Sequence, residues 1–73
     1  MKISYDPKVD AAYIRFLEGP VQVITHHLSE DIAINYGPKG EVVGIEILSA
    51  KEYLKFSNQI PEIELENLRA VSL

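Results

Sequence analysis

The sequence contains no cysteine and no tryptophan, and it has no long uninterrupted apolar run. Without cysteine the chain forms neither a disulfide bond nor a thiolate zinc site, so two common stabilisers of small domains are excluded. Charged residues interrupt the first twenty positions, which therefore match neither a secretory leader nor a membrane-spanning segment. From this pattern we expect a cytoplasmic protein that has no membrane partner.

Positive charge is also scarce in this chain. Seven lysine and arginine residues stand against eleven aspartate and glutamate residues, which gives a formal net charge of −4 at pH 7. Such a chain repels phosphate backbones, so we expect no nucleic-acid partner.

Hydrophobic residues are plentiful, at 47% of the 73 positions, and they are dispersed as in a single globular domain over residues 1–73. A domain of this length hides only about 62% of its unfolded surface when it folds, so its core alone is marginal. We therefore expect self-association, and hence a homo-oligomer, to add stability.

Short apolar runs separated by glycine and proline occupy the first 48 residues, a spacing typical of antiparallel strands. The clearest hairpin turns through residues 37–40, whose sequence Gly-Pro-Lys-Gly is rich in turn formers. Gly44, in the strand that follows, predicts a bulge or a close approach of another group. The predicted strands are residues 2–5, 11–17, 21–28, 31–36 and 41–48.

A change of pattern at Ser49 predicts a short helix within residues 49–56. Ser49 and Glu52 have the capping-box spacing, in which the serine side chain accepts a hydrogen bond from the first helical turn. The predicted class is a small α+β fold, in which a mainly antiparallel meander sheet of four to five strands precedes one or two short C-terminal helices. The helix is expected to pack on a core face formed by Ile14, Phe16, Ile34, Ile45 and Ile47.

Two interpretations of the tail, residues 60–73, stay open. Pro61 and the spacing of Leu65 and Leu68 favour a second helix, whereas the alternation of Ile63 and Leu65 is typical of a strand. In either form the tail presents apolar side chains that can cover the core or reach a neighbouring subunit.

His26 and His27 are the most conspicuous polar pair in the sequence. Neighbouring residues on a strand point to opposite faces, so the two imidazoles cannot hold one metal ion within a single chain. The chain has no further histidine, so a metal site would have to recruit carboxylates. We expect no metal and no cofactor, with these two histidines as the weak candidates. The alternative is a histidine-dependent hydrolase that uses Glu30 or Asp31.

No pattern for nucleophilic catalysis occurs in the sequence. The serines lack a glycine elbow, and the carboxylates are dispersed rather than paired. The turn at residues 37–40 lacks the Gly-Lys-Ser/Thr ending of a phosphate loop and joins two predicted strands. We therefore predict no catalytic residue and no enzymatic activity.

The second face of the strand at residues 11–17 predicts an interface instead. Tyr13 and Leu17 on that face need a cover, and Arg15 and Glu46 are candidates for a cross-strand ion pair. The full set of predicted interface residues, which includes the apolar positions of the tail, is Tyr13, Arg15, Leu17, Glu46, Ile63, Leu65 and Leu68.

Three blocks of residues resemble a known family. They are Tyr-Asp-Pro at residues 5–7, Asp-Ala-Ala-Tyr-Ile-Arg at residues 10–15, and Gly-Ile-Glu-Ile-Leu at residues 44–48 with Ala50 just after. In this order they are similar to the domain of unknown function 2283 family of small bacterial and archaeal proteins. The resemblance covers about residues 3–54. It implies a compact α+β domain and carries over no catalytic residue.

The resemblance also implies a second function class. Some members of that family resemble the antidote-like partner in two-gene toxin–antitoxin pairs, so an antitoxin-like module that binds a small basic protein is the alternative to a structural homo-oligomer. In the tail, Glu62, Glu64 and Glu66 interleave with apolar residues, as in a segment that lies in a basic groove.

Overall fold

The computed structural model describes residues 1–55 and residue 66. Five strands form one sheet in the spatial order β1-β2-β5-β4-β3, and each neighbouring pair is antiparallel. Within the described residues, no helix is both long enough and apolar enough to cross a membrane. The elements are β1 Lys2–Asp6, β2 Ala11–Arg15, β3 Ile24–His27, β4 Ile32–Tyr36, β5 Val42–Leu48 and the helix α1 Ala50–Leu54.

This architecture confirms the predicted α+β class of a five-stranded antiparallel sheet with a short helix. Strands β3, β4 and β5 form a continuous meander, and β1 and β2 form a hairpin that joins the meander through β5. A sheet in strict chain order would place β3 beside β2. Here β5 occupies that place, so the connection at residues 16–23 leads from β2 to the far edge of the sheet.

The hairpin between β4 and β5 is confirmed as predicted. Its turn closes with a hydrogen bond of 2.8 Å from the Gly37 amide to the Glu41 carbonyl oxygen. Within the turn, the Gly40 amide donates to the Gly37 carbonyl oxygen at 3.0 Å, and Gly40 has a φ of 80° that glycine adopts without strain. The sequence Gly-Pro-Lys-Gly therefore joins β4 to the central strand β5 in a tight hairpin.

The core lies on the face of the sheet that α1 covers, which we call the helix face. Ala50 of the helix packs there on Ala12 and Ile47, with partly buried Ile14 and Ile45 beside them. Ile34 joins this face, because it is the register partner of Ile45. The predicted core face is therefore confirmed at its four isoleucines.

Phe16 does not belong to this core, which corrects the prediction for that residue. It lies beyond the end of β2, and 41% of its surface is exposed. The predicted strand at residues 11–17 ends at Arg15 because the amides of Phe16 and Leu17 both donate to one acceptor, the Val43 carbonyl oxygen, at 2.8 and 3.4 Å. Two successive amides that share one acceptor cannot continue a regular ladder.

The predicted serine cap of α1 is also wrong. Ser49 lies at the N-cap position, but it has a φ of 52° and its side chain forms no capping hydrogen bond. The helix ends at Leu54, where Lys55 turns into the left-handed region and donates to the Lys51 carbonyl oxygen at 3.0 Å. The tail at residues 60–73, apart from residue 66, and the predicted helical position of Phe56 lie outside the described residues.

Candidate functional site

The two histidines lie side by side on the edge strand β3 and point to opposite faces of the sheet. His26 is the register partner of Ile34 on the helix face, whereas His27 is the partner of Ala33 on the other face. Both are exposed. In the part of the chain that the structure describes, no group of three or more histidine or carboxylate side chains is placed to hold a metal ion.

A row of polar side chains crosses the sheet on the face opposite the helix, which we call the polar face. The Thr25 hydroxyl donates to Oδ1 of Asn35 at 2.7 Å, and Nδ2 of Asn35 donates to the Tyr13 hydroxyl oxygen at 3.0 Å. The Asn35 amide thus bridges Thr25 of β3 and Tyr13 of β2, because a hydroxyl group lies at each of its two ends. The row ends at the half-buried Tyr13 hydroxyl.

Glu46 lies directly opposite Tyr13 on this face, because the two residues are partners in the β2–β5 register. Its side chain is exposed and takes no part in the polar row. Of the seven predicted interface residues, the structure thus brings Tyr13 and Glu46 together. Leu17 lies just beyond β2 and is exposed, whereas Ile63, Leu65 and Leu68 lie outside the described residues.

The predicted ion pair between Arg15 and Glu46 is not formed, which corrects that prediction. Nε of Arg15 donates to the Leu17 carbonyl oxygen at 2.6 Å, and Nη2 donates to the Gly19 carbonyl oxygen. The guanidinium group therefore holds the start of the connection to β3. Its register partner on β5 is Gly44 rather than Glu46, so the glutamate is displaced along the strand.

Gly44 is the close-approach point that its position in the strand predicts. A Cβ atom at this residue would lie 2.3 Å from the Tyr13 hydroxyl oxygen and 2.8 Å from the Ile14 carbonyl oxygen. The β4–β5 ladder also shifts register next to it, between Asn35 and Tyr36. The absence of a side chain at Gly44 thus makes room for the tyrosine that ends the polar row.

Asp10 is the residue that the sequence interpretation missed. It has a φ of 53°, and its carbonyl oxygen accepts a hydrogen bond of 3.0 Å from the Ala50 amide. Its carboxylate accepts from the Lys51 amide at 3.2 Å and from the Tyr5 hydroxyl at 2.8 Å. Asp10 therefore caps α1 from a position far away in the sequence. The available signal was an aspartate at the end of the first turn, because aspartate both tolerates positive φ and caps helices.

A second carboxylate ties the helix to the sheet. The Tyr53 hydroxyl donates to Oδ2 of Asp31 at 2.9 Å, and the Asp31 carbonyl oxygen accepts from the Leu48 amide at 2.7 Å. The hydrogen bond to this carboxylate, together with partial burial, raises the pKa of Tyr53. For Tyr5 the order of causes is reversed, because burial is the largest cause of its raised pKa and the bond to Asp10 the second.

These contacts define a compact α+β domain in which the described polar side chains mainly join one element to another. The chain belongs to the family described as "Protein of unknown function (DUF2283)", whose model matches residues 2–51. This match confirms the resemblance found in the sequence. The comparisons with curated proteins and with solved structures give no match.

Proposed function

We propose that this protein is a small homo-oligomeric module without catalytic activity, which acts through the surfaces that it presents. The observation that carries the proposal is the apolar surface on the β3 side of the helix face. Ile24 has 72% of its surface exposed, and Leu28, just after the strand, has 58% exposed. Exposure of large apolar side chains to water is unfavourable. Their burial in an interface with another copy of the chain is therefore favoured.

The dimensions of the fold explain why α1 does not cover these residues. A helix of five residues is about 7.5 Å long, whereas the outer strands of a five-stranded sheet are about 19 Å apart. Ala50 packs over Ala12 and Ile47, which belong to β2 and β5. The helix therefore packs over β2 and β5 rather than over the edge strand β3.

The chemistry of the described polar groups supports a role without catalysis. The carboxylates of Asp10 and Asp31 accept hydrogen bonds from tyrosines that hold the helix in place. His26 and His27 diverge to opposite faces, so they cannot act together on one substrate from one chain. A screen for hydrolase activity tests this part of the proposal, and turnover that His26→Ala or His27→Ala abolishes would contradict it.

Light scattering over a range of protein concentrations tests self-association. We expect a mass of at least two chains in the micromolar to millimolar range, with dissociation on dilution. A protein that stays monomeric over the whole range would contradict the homo-oligomer.

Partner binding is the second candidate function, and the charge of the chain favours it. The net charge of −4 would steer a basic protein toward this domain, and three glutamates interleave with apolar residues in the tail sequence. This is the antitoxin-like alternative. The test compares the natural chain with the variant Glu62→Lys/Glu64→Lys/Glu66→Lys in capture from the native host. A basic protein held by the natural chain and lost by the variant would favour partner binding.

A further inference from the structure

The free edge of β3 has a defined pattern of backbone groups. The Leu28 amide donates to the Ile32 carbonyl oxygen at 2.8 Å, so these two residues form a hydrogen-bonded pair of the β3–β4 ladder. Hydrogen-bonded and non-hydrogen-bonded pairs alternate along antiparallel strands. The backbone groups of His26 and Ile24 are therefore hydrogen-bonded to β4 as well. The backbone groups of Thr25 and His27 therefore point outward. No other described strand pairs with this edge.

A second copy of the same edge fits this pattern in one register within the strand. When two identical strands pair around a two-fold axis, the hydrogen-bonded pairs must join residues whose backbone groups point outward. All the outward groups of β3 are used when Thr25 of each copy lies opposite His27 of the partner subunit. His26 then lies on the two-fold axis, directly opposite His26 of the partner subunit.

The side chains agree with the register that the backbone selects. In this arrangement Ile24 lies opposite Leu28 of the partner subunit, and both are on the helix face. These are the two apolar side chains whose exposure supports the proposed function. Each would cover the other across the seam, twice per dimer. Backbone pairing and apolar burial thus favour the same alignment independently.

The opposite edge of the sheet lacks these properties. Strand β1 begins with Lys2 and ends with Asp6, and Pro7 follows. Charged side chains and proline are the features that keep an edge strand from pairing with another chain. Strand β3, with the sequence Ile-Thr-His-His, has no aspartate, glutamate, lysine or arginine.

From these observations we propose that β3 pairs antiparallel with β3 of a second copy, with His26 at the two-fold axis, and forms a continuous ten-stranded sheet. This inference rests on the proposed homo-oligomer and names its pairing surface and register. It also gives His26 a position in an interface rather than in a metal site.

A single cysteine tests the register in the full-length chain, which has no cysteine of its own. In His26→Cys the two Cα atoms would be about 4.5 Å apart, within the range of about 4.4–6.8 Å that a disulfide spans. The control is Ile24→Cys, on the same strand and face. Its two cysteines would lie four residues apart along the paired strands, a separation of about 13 Å. Under mild oxidation we expect a covalent dimer for most of the His26→Cys protein and only a background amount for the control. Equal cross-linking of both variants, or of neither, would overturn the register.

A second pair of variants tests the edge without a cross-link. His27→Pro removes an outward amide and leaves the hydrogen bonds to β4 intact, whereas His27→Ala keeps the amide. We expect His27→Pro to weaken dimerisation by about tenfold or more and His27→Ala to change it little, with circular dichroism to verify the fold. If the natural chain is oligomeric but neither the cross-link nor this contrast is found, the edge pairing is wrong and the proposed homo-oligomer stands.

Discussion

The Tyr5 hydroxyl donates a hydrogen bond of 2.8 Å to Oδ1 of Asp10, a carboxylate that also accepts from the Lys51 amide at the start of α1. One aspartate in the first turn thus joins β1 to the helix that follows β5. The residues involved belong to the blocks that carry the family resemblance or lie next to them. The presence of Tyr5 and Asp10 in those blocks is therefore explained by how the helix is attached to the sheet.

Asp10→Ala is expected to lower the free energy of unfolding by about 1–2 kcal/mol, because the helix loses its capping acceptor. Alanine also tolerates the φ of 53° poorly. Asp10→Asn is the matched control, since asparagine keeps an acceptor oxygen and adopts this conformation readily. Urea denaturation should therefore show a smaller loss for asparagine. An equal loss for both variants would contradict a capping role.

Stability is expected to fall at alkaline pH because of Tyr5 and Tyr53. Their pKa values are raised in the folded protein above the ordinary value of 10.0. The folded state therefore favours the protonated phenols, and this contribution is present below pH 10 and is lost as pH rises through the folded-state pKa.

Urea denaturation at a series of alkaline pH values measures this effect. The variant Tyr5→Phe/Tyr53→Phe should show a flatter dependence of stability on pH than the natural chain. Tyr36→Phe serves as the control, because the Tyr36 hydroxyl binds no carboxylate among the described residues. The same steep fall in all three proteins would show that other groups cause it.

Gly44→Ala is expected to destabilise the fold by about 1–3 kcal/mol, the usual cost of forcing atoms into a filled site. The added Cβ would meet both the Tyr13 side chain and the Ile14 carbonyl oxygen, which is backbone and cannot rotate away. In the Tyr13→Val background the first clash is gone, so the same substitution should cost less. Thermal denaturation of the four proteins measures this coupling, and strictly additive losses would rule it out.

Ile47→Ala and Leu48→Ala compare two neighbours on opposite faces of β5. Ile47 is 8% exposed and packs against the helix, so its truncation should cost about 2–5 kcal/mol. Leu48 is 39% exposed, and we expect a loss below about 1 kcal/mol. The difference between the two denaturation midpoints is the measurement. Equal losses of stability in the two variants would contradict the assignment of the core to the helix face.

Much of the fold was predictable from local sequence patterns. The alternation of Ile32, Ile34 and Tyr36 and the turn at residues 37–40 predicted the β4–β5 hairpin, because both signals depend on neighbouring residues. The close approach at Gly44 is predictable in the same way, because a glycine inside a strand pattern is itself a local signal.

Contacts between distant residues were not predictable in this way. The place of β5 between β2 and β4 depends on pairings such as Ala11 with Leu48, for which the sequence contains no local signal. The spacing of Ser49 and Glu52 predicts a serine cap for α1, yet Asp10, some forty residues earlier in the chain, supplies the cap. Arg15 is the opposite case, because it donates to the nearby carbonyl oxygens of Leu17 and Gly19 rather than to the distant Glu46.

The central place of β5 has a consequence for how the chain folds as it is synthesised. Of the described strands, β5 is the last to leave the ribosome, yet it is the one that pairs with both β2 and β4. The β1–β2 and β3–β4 hairpins can each form earlier from local contacts, but they have no common partner until residue 48 has emerged. Completion of the sheet therefore awaits a pairing of high contact order, which makes this docking step the expected rate limit of folding.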